Sequence, residues 1–154
     1  MRLLDTENEL AITIEGVHQY PPEIANAGFV PDPSPWLDIH VQARTVAGSW
    51  ECHDDMLELR SVRFIAKWFR ALAKGAPTHS AIYFEEPELA FEAIGRIASG
   101  LKVRVTLDGD CYPPGRHHLV GELPDFAYEI SVDKPMLEAA ASDLEDQLRN
   151  LGIV

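Results

Sequence analysis

The fold class depends on residues 58–74, which read ELRSVRFIAKWFRALAK. Apolar residues recur in this stretch every three or four positions, the spacing of one face of an α-helix. Basic residues lie on the opposite face, and Gly75 follows at a position where helices commonly end. The stretch therefore predicts an amphipathic helix over about 58–74. Its apolar face consists of Leu59, Val62, Ile65, Ala66, Phe69, Leu72 and Ala73.

On both sides of this helix, apolar and polar residues alternate, as in strands that are buried on one face. Residues 10–14, 36–44 and 49–52 precede the helix, and the turn at 46–48 predicts an antiparallel hairpin. Residues 80–85, 89–93, 101–107 and 126–132 indicate further strands after it. A second apolar stripe predicts a helix over about 134–151, with Asp133 as its cap and Pro135 near its first position.

Together these elements predict an α+β fold, with a largely antiparallel sheet of about six or seven strands packed with two long amphipathic helices. The order of strands, helix, strands, helix lacks the regular alternation of a doubly wound parallel sheet. A chain of 154 residues has the length of one domain, and no linker or repeat divides it. We therefore expect residues 1–154 to form a single domain.

The chain is strongly acidic, with 25 Asp and Glu against 13 Lys and Arg and a formal net charge of −12. The net charge is −8 over 1–60, +3 over 61–107 and −7 over 108–154. A field of this sign repels nucleic-acid phosphates and anionic lipids, so we expect neither as a direct partner. A hydrophobic content of 46% is too high for a disordered acidic chain.

Two further features indicate a cytoplasmic protein. No apolar run approaches the roughly 20 residues that span a bilayer, and the N-terminal sequence MRLLDTENEL has acids where a signal peptide is basic and apolar. The two cysteines, Cys52 and Cys111, are far apart in the sequence and form no CxxC pair. We therefore interpret both as reduced thiols.

No short motif of known catalytic mechanism is present, so we predict no catalytic residues, no metal site and no cofactor. The run Cys52-His53-Asp54-Asp55 contains metal-ligand residue types, but neighbours on a strand point to opposite faces and do not converge on one ion. Asp54 and Asp55 are more simply interpreted as acids near a helix N-terminus.

A proline-rich loop over 108–124 contains His117 and His118 together with Asp108 and Asp110. Neighbouring histidines bind a metal only with ligands from elsewhere, and the two aspartates lack the rest of a calcium loop. A solvated loop is the first interpretation. A small metal-dependent enzyme that uses this loop is the alternative.

Acidic and aromatic residues supply the candidates for partner binding. Glu85, Glu86 and Glu88 surround a proline between two predicted strands, where a solvated turn is the first interpretation and an acidic docking element the second. Trp36 follows the proline-rich stretch 20–35 and has the best claim among the tryptophans to a partner-facing role, although packing is the first interpretation.

Several short segments stand in a characteristic order along the chain. They are GVHQYPPE at 16–23, WLDIHV at 36–41, SWE at 49–51, KWF at 67–69, FEEPELAF at 84–91 and DLEDQL at 143–148. In order and spacing they resemble the WapI-type bacterial immunity proteins, and the segment at 84–91 is the most diagnostic. The C-terminus departs from that pattern, because Leu-Gly-Ile-Val stands at 151–154 where the resemblance leads us to expect Phe-Pro.

The resemblance implies a cytoplasmic protein without enzymatic activity. Such a protein binds and neutralises the C-terminal toxin domain of a large secreted polymorphic toxin, often a nuclease. The charge independently fits this role, because a nuclease surface that binds phosphates is basic and an acidic protein can occupy it. The resemblance assigns no catalytic residue to this chain. The docking acids that we expect are Glu85, Glu86, Glu88, Asp54 and Asp55, with Trp36 facing the partner.

Two other functions stay open at this point. One is the metal-dependent enzyme that uses the loop of His117 and His118. The other is a structural or regulatory homodimer, formed through an uncovered sheet edge or the last helix. The sequence leaves both a monomer and a homodimer possible.

Overall fold

The computed structural model describes residues 1–19, 34–77, 79–84, 89–114 and 126–153. These ranges contain two long helices and two antiparallel sheets of four strands each, which confirms the α+β fold. The strands number eight in two sheets, whereas the sequence predicts six or seven in one. The difference arises because strand periodicity shows which residues are extended but not which strands pair.

The first sheet has the strand order β1-β2-β3-β4, and the second has the order β5-β6-β7-β8. The strands are β1 Arg2–Leu4, β2 Glu9–Val17, β3 Trp36–Thr45, β4 Gly48–Glu58, β5 Ala81–Tyr83, β6 Leu89–Ile97, β7 Gly100–Leu107 and β8 Phe126–Val132. The helices are α1 Leu59–Ala73, which follows the first sheet, and α2 Lys134–Asn150, which follows the second.

Both helices lie within one residue of their predicted ends. The Asp133 side chain caps α2 by accepting a hydrogen bond from the Met136 N–H at 2.8 Å, as the sequence predicts. At the other helix, the segment before β3 caps the first turn instead. The Leu59 N–H donates to the Pro35 carbonyl and the Arg60 N–H to the Ser34 hydroxyl, both at 2.9 Å. Gly75, at φ +71°, follows the end of α1 in the left-handed conformation that glycine favours.

The core lies between the sheets and the helices. Apolar side chains from both sheets and both helices form one buried cluster. Within it, Phe69 of α1 packs edge-to-face against Phe91 of β6, with the ring centroids 5.6 Å apart. The helices are also joined at their surface, where Arg70 donates to both carboxylate oxygens of Glu145, at 3.2 and 2.6 Å. This pairing raises the pKa of Arg70 and lowers that of Glu145.

The turn between β1 and β2 links the first sheet to the outer strand of the second. Asp5 accepts a hydrogen bond from the Ser131 N–H at 2.7 Å, and the Asn8 side chain donates to the Glu129 carbonyl at 2.9 Å. Backbone groups at the edge of β8 are therefore satisfied by side chains from the turn between β1 and β2.

A disulfide bond joins Cys52 of β4 to Cys111 in a 3₁₀ turn that follows β7, with a Cα–Cα distance of 5.2 Å. The prediction of two reduced thiols is therefore wrong. Separation along the sequence does not measure separation in space, and here β4 and the 3₁₀ turn lie side by side. The bond connects the two halves of the chain across 59 positions.

Reduction of this disulfide is expected to destabilise the fold. Opening a loop of 59 residues restores chain entropy to the unfolded state, which is expected to lower the free energy of unfolding by about 2–4 kcal/mol. Urea titration of oxidised and reduced protein measures the difference. The variant with Cys52→Ser and Cys111→Ser serves as control, because its stability should not respond to reductant. Equal stability of the oxidised and reduced wild-type protein would contradict the expectation.

Candidate functional site

The outward surface of β2, β3 and β4 carries a dense group of titratable side chains. On these strands the apolar residues point into the core, so the residues between them point outward. We call this surface the open face. It comprises Glu9, Glu15, Asp38, His40, Arg44, Glu51, His53 and Asp55, together with His18 just beyond β2.

Four carboxylates of the open face contact imidazoles. His18 lies 2.8 Å from Asp38 and 3.5 Å from Asp55, measured between ring nitrogens and carboxylate oxygens. His40 lies 3.2 Å from Glu51, and His53 lies 3.2 Å from Glu15. Within the described residues, none of these four carboxylates pairs with a lysine or an arginine. With neutral histidines their negative charge is therefore uncompensated.

The described carboxylates of the second sheet, Glu92 and Glu129, pair with strong bases instead. On the second sheet Arg104 stands in register between Glu92 and Glu129. Its guanidinium nitrogens lie 2.9 Å from a carboxylate oxygen of Glu92 and 3.4 Å from one of Glu129. Lys102 also contacts Glu129 at 3.0 Å, and the two bases lower the pKa of that carboxyl. Glu9, at the margin of the open face, pairs with Arg2 and Arg44. On the first sheet, the described carboxylates without a strong base lie around the three histidines, together with Asp54 beside Asp55.

A pair of stacked histidines occupies the centre of the open face. His40 and His53 are directly opposite in the β3–β4 register, and their ring centroids are 4.0 Å apart with an interplanar angle of 10°. Glu15 of β2 approaches both rings, and Glu51 approaches the far nitrogen of His40. Hydrogen bonds from Gln42 and His40 lower the pKa of Glu51, so this carboxyl stays ionised.

Glu15, His40 and His53 together form a group that could hold a metal ion, since one donor atom from each lies within 4.8 Å of the others. Of these three residues, only His53 is a metal-ligand candidate in the sequence. It stands there in the run Cys52-His53-Asp54-Asp55, whose neighbouring side chains do not converge on one ion. The short turn of the β3–β4 hairpin is a sequence signal that could have revealed the pairing of His40 with His53. Thr45 pairs with Gly48 across a two-residue turn, and this register places His40 opposite His53.

Asp54 and Asp55 lie on β4 and not at the N-terminus of α1, so that interpretation is wrong. The reason is that β4 continues to Glu58, immediately before the helix. Burial raises the pKa of Asp54, and the nearby carboxylates of Asp55 and Asp110 raise it further. Asp55 instead faces His18 on the open face. The two neighbours therefore have different surroundings.

The other candidate residues are only partly described. Trp36 is the first residue of β3, half-buried, and its carbonyl accepts a hydrogen bond from the His18 N–H at 2.9 Å. Glu85, Glu86 and Glu88 lie outside the described residues, as do His117 and His118. Asp108 and Asp110 are at the 3₁₀ turn that contains Cys111. The described helices include none that is long and apolar enough to cross a membrane.

The fold and the open face define a small α+β protein with a carboxylate-rich sheet surface. The chain belongs to the Immunity protein WapI-like family, whose family model matches residues 2–152. This confirms the resemblance seen in the sequence. Neither the curated proteins nor the solved structures contain a match to the chain.

The substitution Asp54→Asn is expected to stabilise the protein. Because the folded-state pKa of Asp54 is raised, the folded state binds more protons than the unfolded state, and stability falls as pH rises through that range. At neutral pH the amide removes the repulsion from Asp55 and Asp110, which is expected to increase the free energy of unfolding by about 0.5 kcal/mol. Asparagine retains the acceptor for the Asp55 N–H.

Denaturant unfolding at several pH values measures this effect. The gain should vanish below about pH 4, where the Asp54 carboxyl is protonated in the unfolded chain as well. A variant that is less stable than the wild type at pH 7 would contradict the proposed repulsion.

Proposed function

We propose that this chain is an immunity protein that binds and neutralises the C-terminal toxin domain of a secreted polymorphic toxin. It acts by occluding a basic surface of that domain, such as the phosphate-binding surface of a nuclease, and performs no catalysis itself. The open face supplies the contact surface. The observation that carries this proposal is the set of four carboxylates that contact imidazoles and that pair with no lysine or arginine within the described residues.

On binding, the carboxylates of the open face would exchange their imidazole partners for the cationic groups of the toxin domain. An arginine or lysine of a cationic protein forms charge-assisted hydrogen bonds with these carboxylates that a neutral imidazole does not match. The same charges attract a basic partner before contact and raise the association rate. Carboxylates of the second sheet are already paired with Lys102 and Arg104, so they offer less to such a partner.

The proposed contact surface extends beyond the centre of the open face. Asp55 belongs to it directly, and Asp54 and Trp36 lie at the same end of β3 and β4. Glu85, Glu86 and Glu88 remain proposed docking acids on the strength of their charge in the connection between β5 and β6.

The proposal includes a cytoplasmic location, where an immunity protein meets a toxin that has entered the cell. The Cys52–Cys111 disulfide weighs against this part, because the cytosol keeps most thiols reduced. Trapping the thiols in intact cells with an alkylating reagent before lysis measures their redox state. Free thiols in most molecules would support the proposed cytoplasmic location. A disulfide in nearly all molecules would contradict it.

Charge reversal on the open face is expected to weaken toxin binding. A toxin domain that the wild-type chain is first found to bind serves as the test partner. The variant Asp38→Lys with Asp55→Lys should lower its affinity by roughly tenfold or more, mainly through slower association that depends less on salt. Stopped-flow binding at two salt concentrations measures both effects.

A matched control changes the same number of charges elsewhere. Glu138→Lys with Asp146→Lys alters two exposed acids of α2 and should leave the affinity nearly unchanged. Equal losses in both variants would show that net charge, rather than the open face, drives binding. Failure of the wild-type chain to protect cells that express the toxin domain would contradict the immunity function itself.

Reversal of the Glu85, Glu86 and Glu88 set to lysine tests the second docking element. We expect weaker toxin binding with an unchanged thermal unfolding curve, because the change removes attraction to a cationic partner. Titration calorimetry and circular dichroism measure the two quantities. Unchanged affinity would remove this segment from the contact surface and leave the open face alone.

A further inference from the structure

Three adjacent strands bring Glu15, His40 and His53 together at the centre of the open face. Thr13 of β2, His40 of β3 and His53 of β4 stand in one row of the register, and Glu15 is two residues beyond Thr13 on the same side of β2. Hydrogen bonds between the strands hold the three backbones in place. The arrangement of the three side chains therefore follows from the sheet itself and not from a loop.

The distances between donor atoms fit a small metal ion. Nδ1 of His53 is 3.2 Å from Oε2 of Glu15, and Nδ1 of His40 is 3.9 Å from Oε1 of the same carboxylate. Ligand atoms around a tetrahedral Zn²⁺ are about 3.3 Å apart, as bond lengths near 2.05 Å require. One donor pair already has this spacing and a second needs to close by roughly half an ångström. The three donor atoms, including the pair of histidine nitrogens, all lie within 4.8 Å of one another.

A second carboxylate sets the tautomer of His40. Nε2 of His40 lies 3.2 Å from Oε2 of Glu51, and a carboxylate oxygen accepts a hydrogen bond from an imidazole N–H. The proton of the neutral ring is thereby placed on Nε2, which leaves the Nδ1 lone pair directed towards Glu15. Gln42 donates to the same Glu51 oxygen at 3.4 Å and helps to orient it. Pairing of a ligand histidine with an outer carboxylate is the usual arrangement around protein-bound zinc.

At least one of the stacked rings must rotate out of the parallel arrangement before both can bind one ion, because a metal lies near the plane of each imidazole that binds it. His53 and Glu15 have exposed side chains, with relative exposures of 55% and 45%, so the histidine ring can tilt about χ2 into solvent. His40 is more enclosed, at 18%, and is held by Glu51. Metal binding therefore requires movement mainly of the His53 ring. The His40 ring is already held in its orientation by Glu51.

We infer that Glu15, His40 and His53 form a binding site for a divalent transition-metal ion of the Zn²⁺ class, with Glu51 as a positioning residue and solvent in the fourth position. Two imidazoles and a carboxylate favour Zn²⁺, Ni²⁺ or Cu²⁺ over Mg²⁺ and Ca²⁺, which prefer oxygen ligands. The inference does not depend on the proposed immunity function, because its test involves no toxin.

The test is metal binding by the untagged full-length protein, since a polyhistidine tag would itself bind the ion. Titration calorimetry with Zn²⁺ should show one site, and Co²⁺ should give the visible absorption of a tetrahedral or five-coordinate ion. Ca²⁺ should give no binding heat. The variants His40→Ala and His53→Ala should each lower the Zn²⁺ affinity at least tenfold, and Glu51→Ala should lower it by roughly tenfold.

His18→Ala is the matched control, because His18 lies on the same face but pairs with Asp38 and Asp55 instead. It should retain Zn²⁺ affinity within about twofold, and circular dichroism should show that all variants are folded. Full affinity in His53→Ala would overturn the inference. So would loss of binding in His117→Ala with His118→Ala but not in His53→Ala, which would assign the ion to the loop.

Discussion

The pairing of β3 with β4 is the constraint on which the rest of the structure depends. A two-residue turn brings Thr45 opposite Gly48, and the ladder then places Val41 opposite Cys52 and His40 opposite His53. A shift of one residue would exchange the two faces of the strand. Val41 would then point outward, and His40 would enter the core without partners. The same register therefore sets the core, the half-cystine at Cys52 and the composition of the open face.

The two sheets use their outer faces differently. On the second sheet, Glu92, Arg104 and Glu129 stand in one row, and opposite charges across the strands stabilise it. On the first sheet, carboxylates stand beside histidines, and burial together with the nearby carboxylates of Asp55 and Asp110 raises the pKa of Asp54. Like charges at such close range lower the stability of the folded state. An arrangement that is unfavourable in the isolated chain becomes favourable when a cation, either a basic protein surface or a metal ion, approaches it.

Much of the fold was predictable from the sequence because it depends on local pattern. Both helices were predicted within one residue of their ends, since 3.6-residue periodicity, the Asp133 cap and Gly75 are all local signals. The hairpin of β3 and β4 followed from alternation and a short turn. Strand β1 was missed, because three residues, Arg2–Leu4, are too few to show a period. The division into two sheets does not follow from the sequence, because the residue pattern of a strand does not indicate which distant strand it pairs with.

The candidate site was less accessible to sequence reasoning. The composition by itself determined that the chain is acidic and amphipathic, because charge and hydropathy belong to the residues themselves. Only the tertiary structure decided which acids remain without a strong base, because Arg104 and Glu129 are far apart in sequence and meet only when β7 pairs with β8. It likewise joined Cys52 to Cys111 and gathered Glu15, His40 and His53. Each of these contacts depends on how separate strands and turns are placed in space, which a local pattern does not encode.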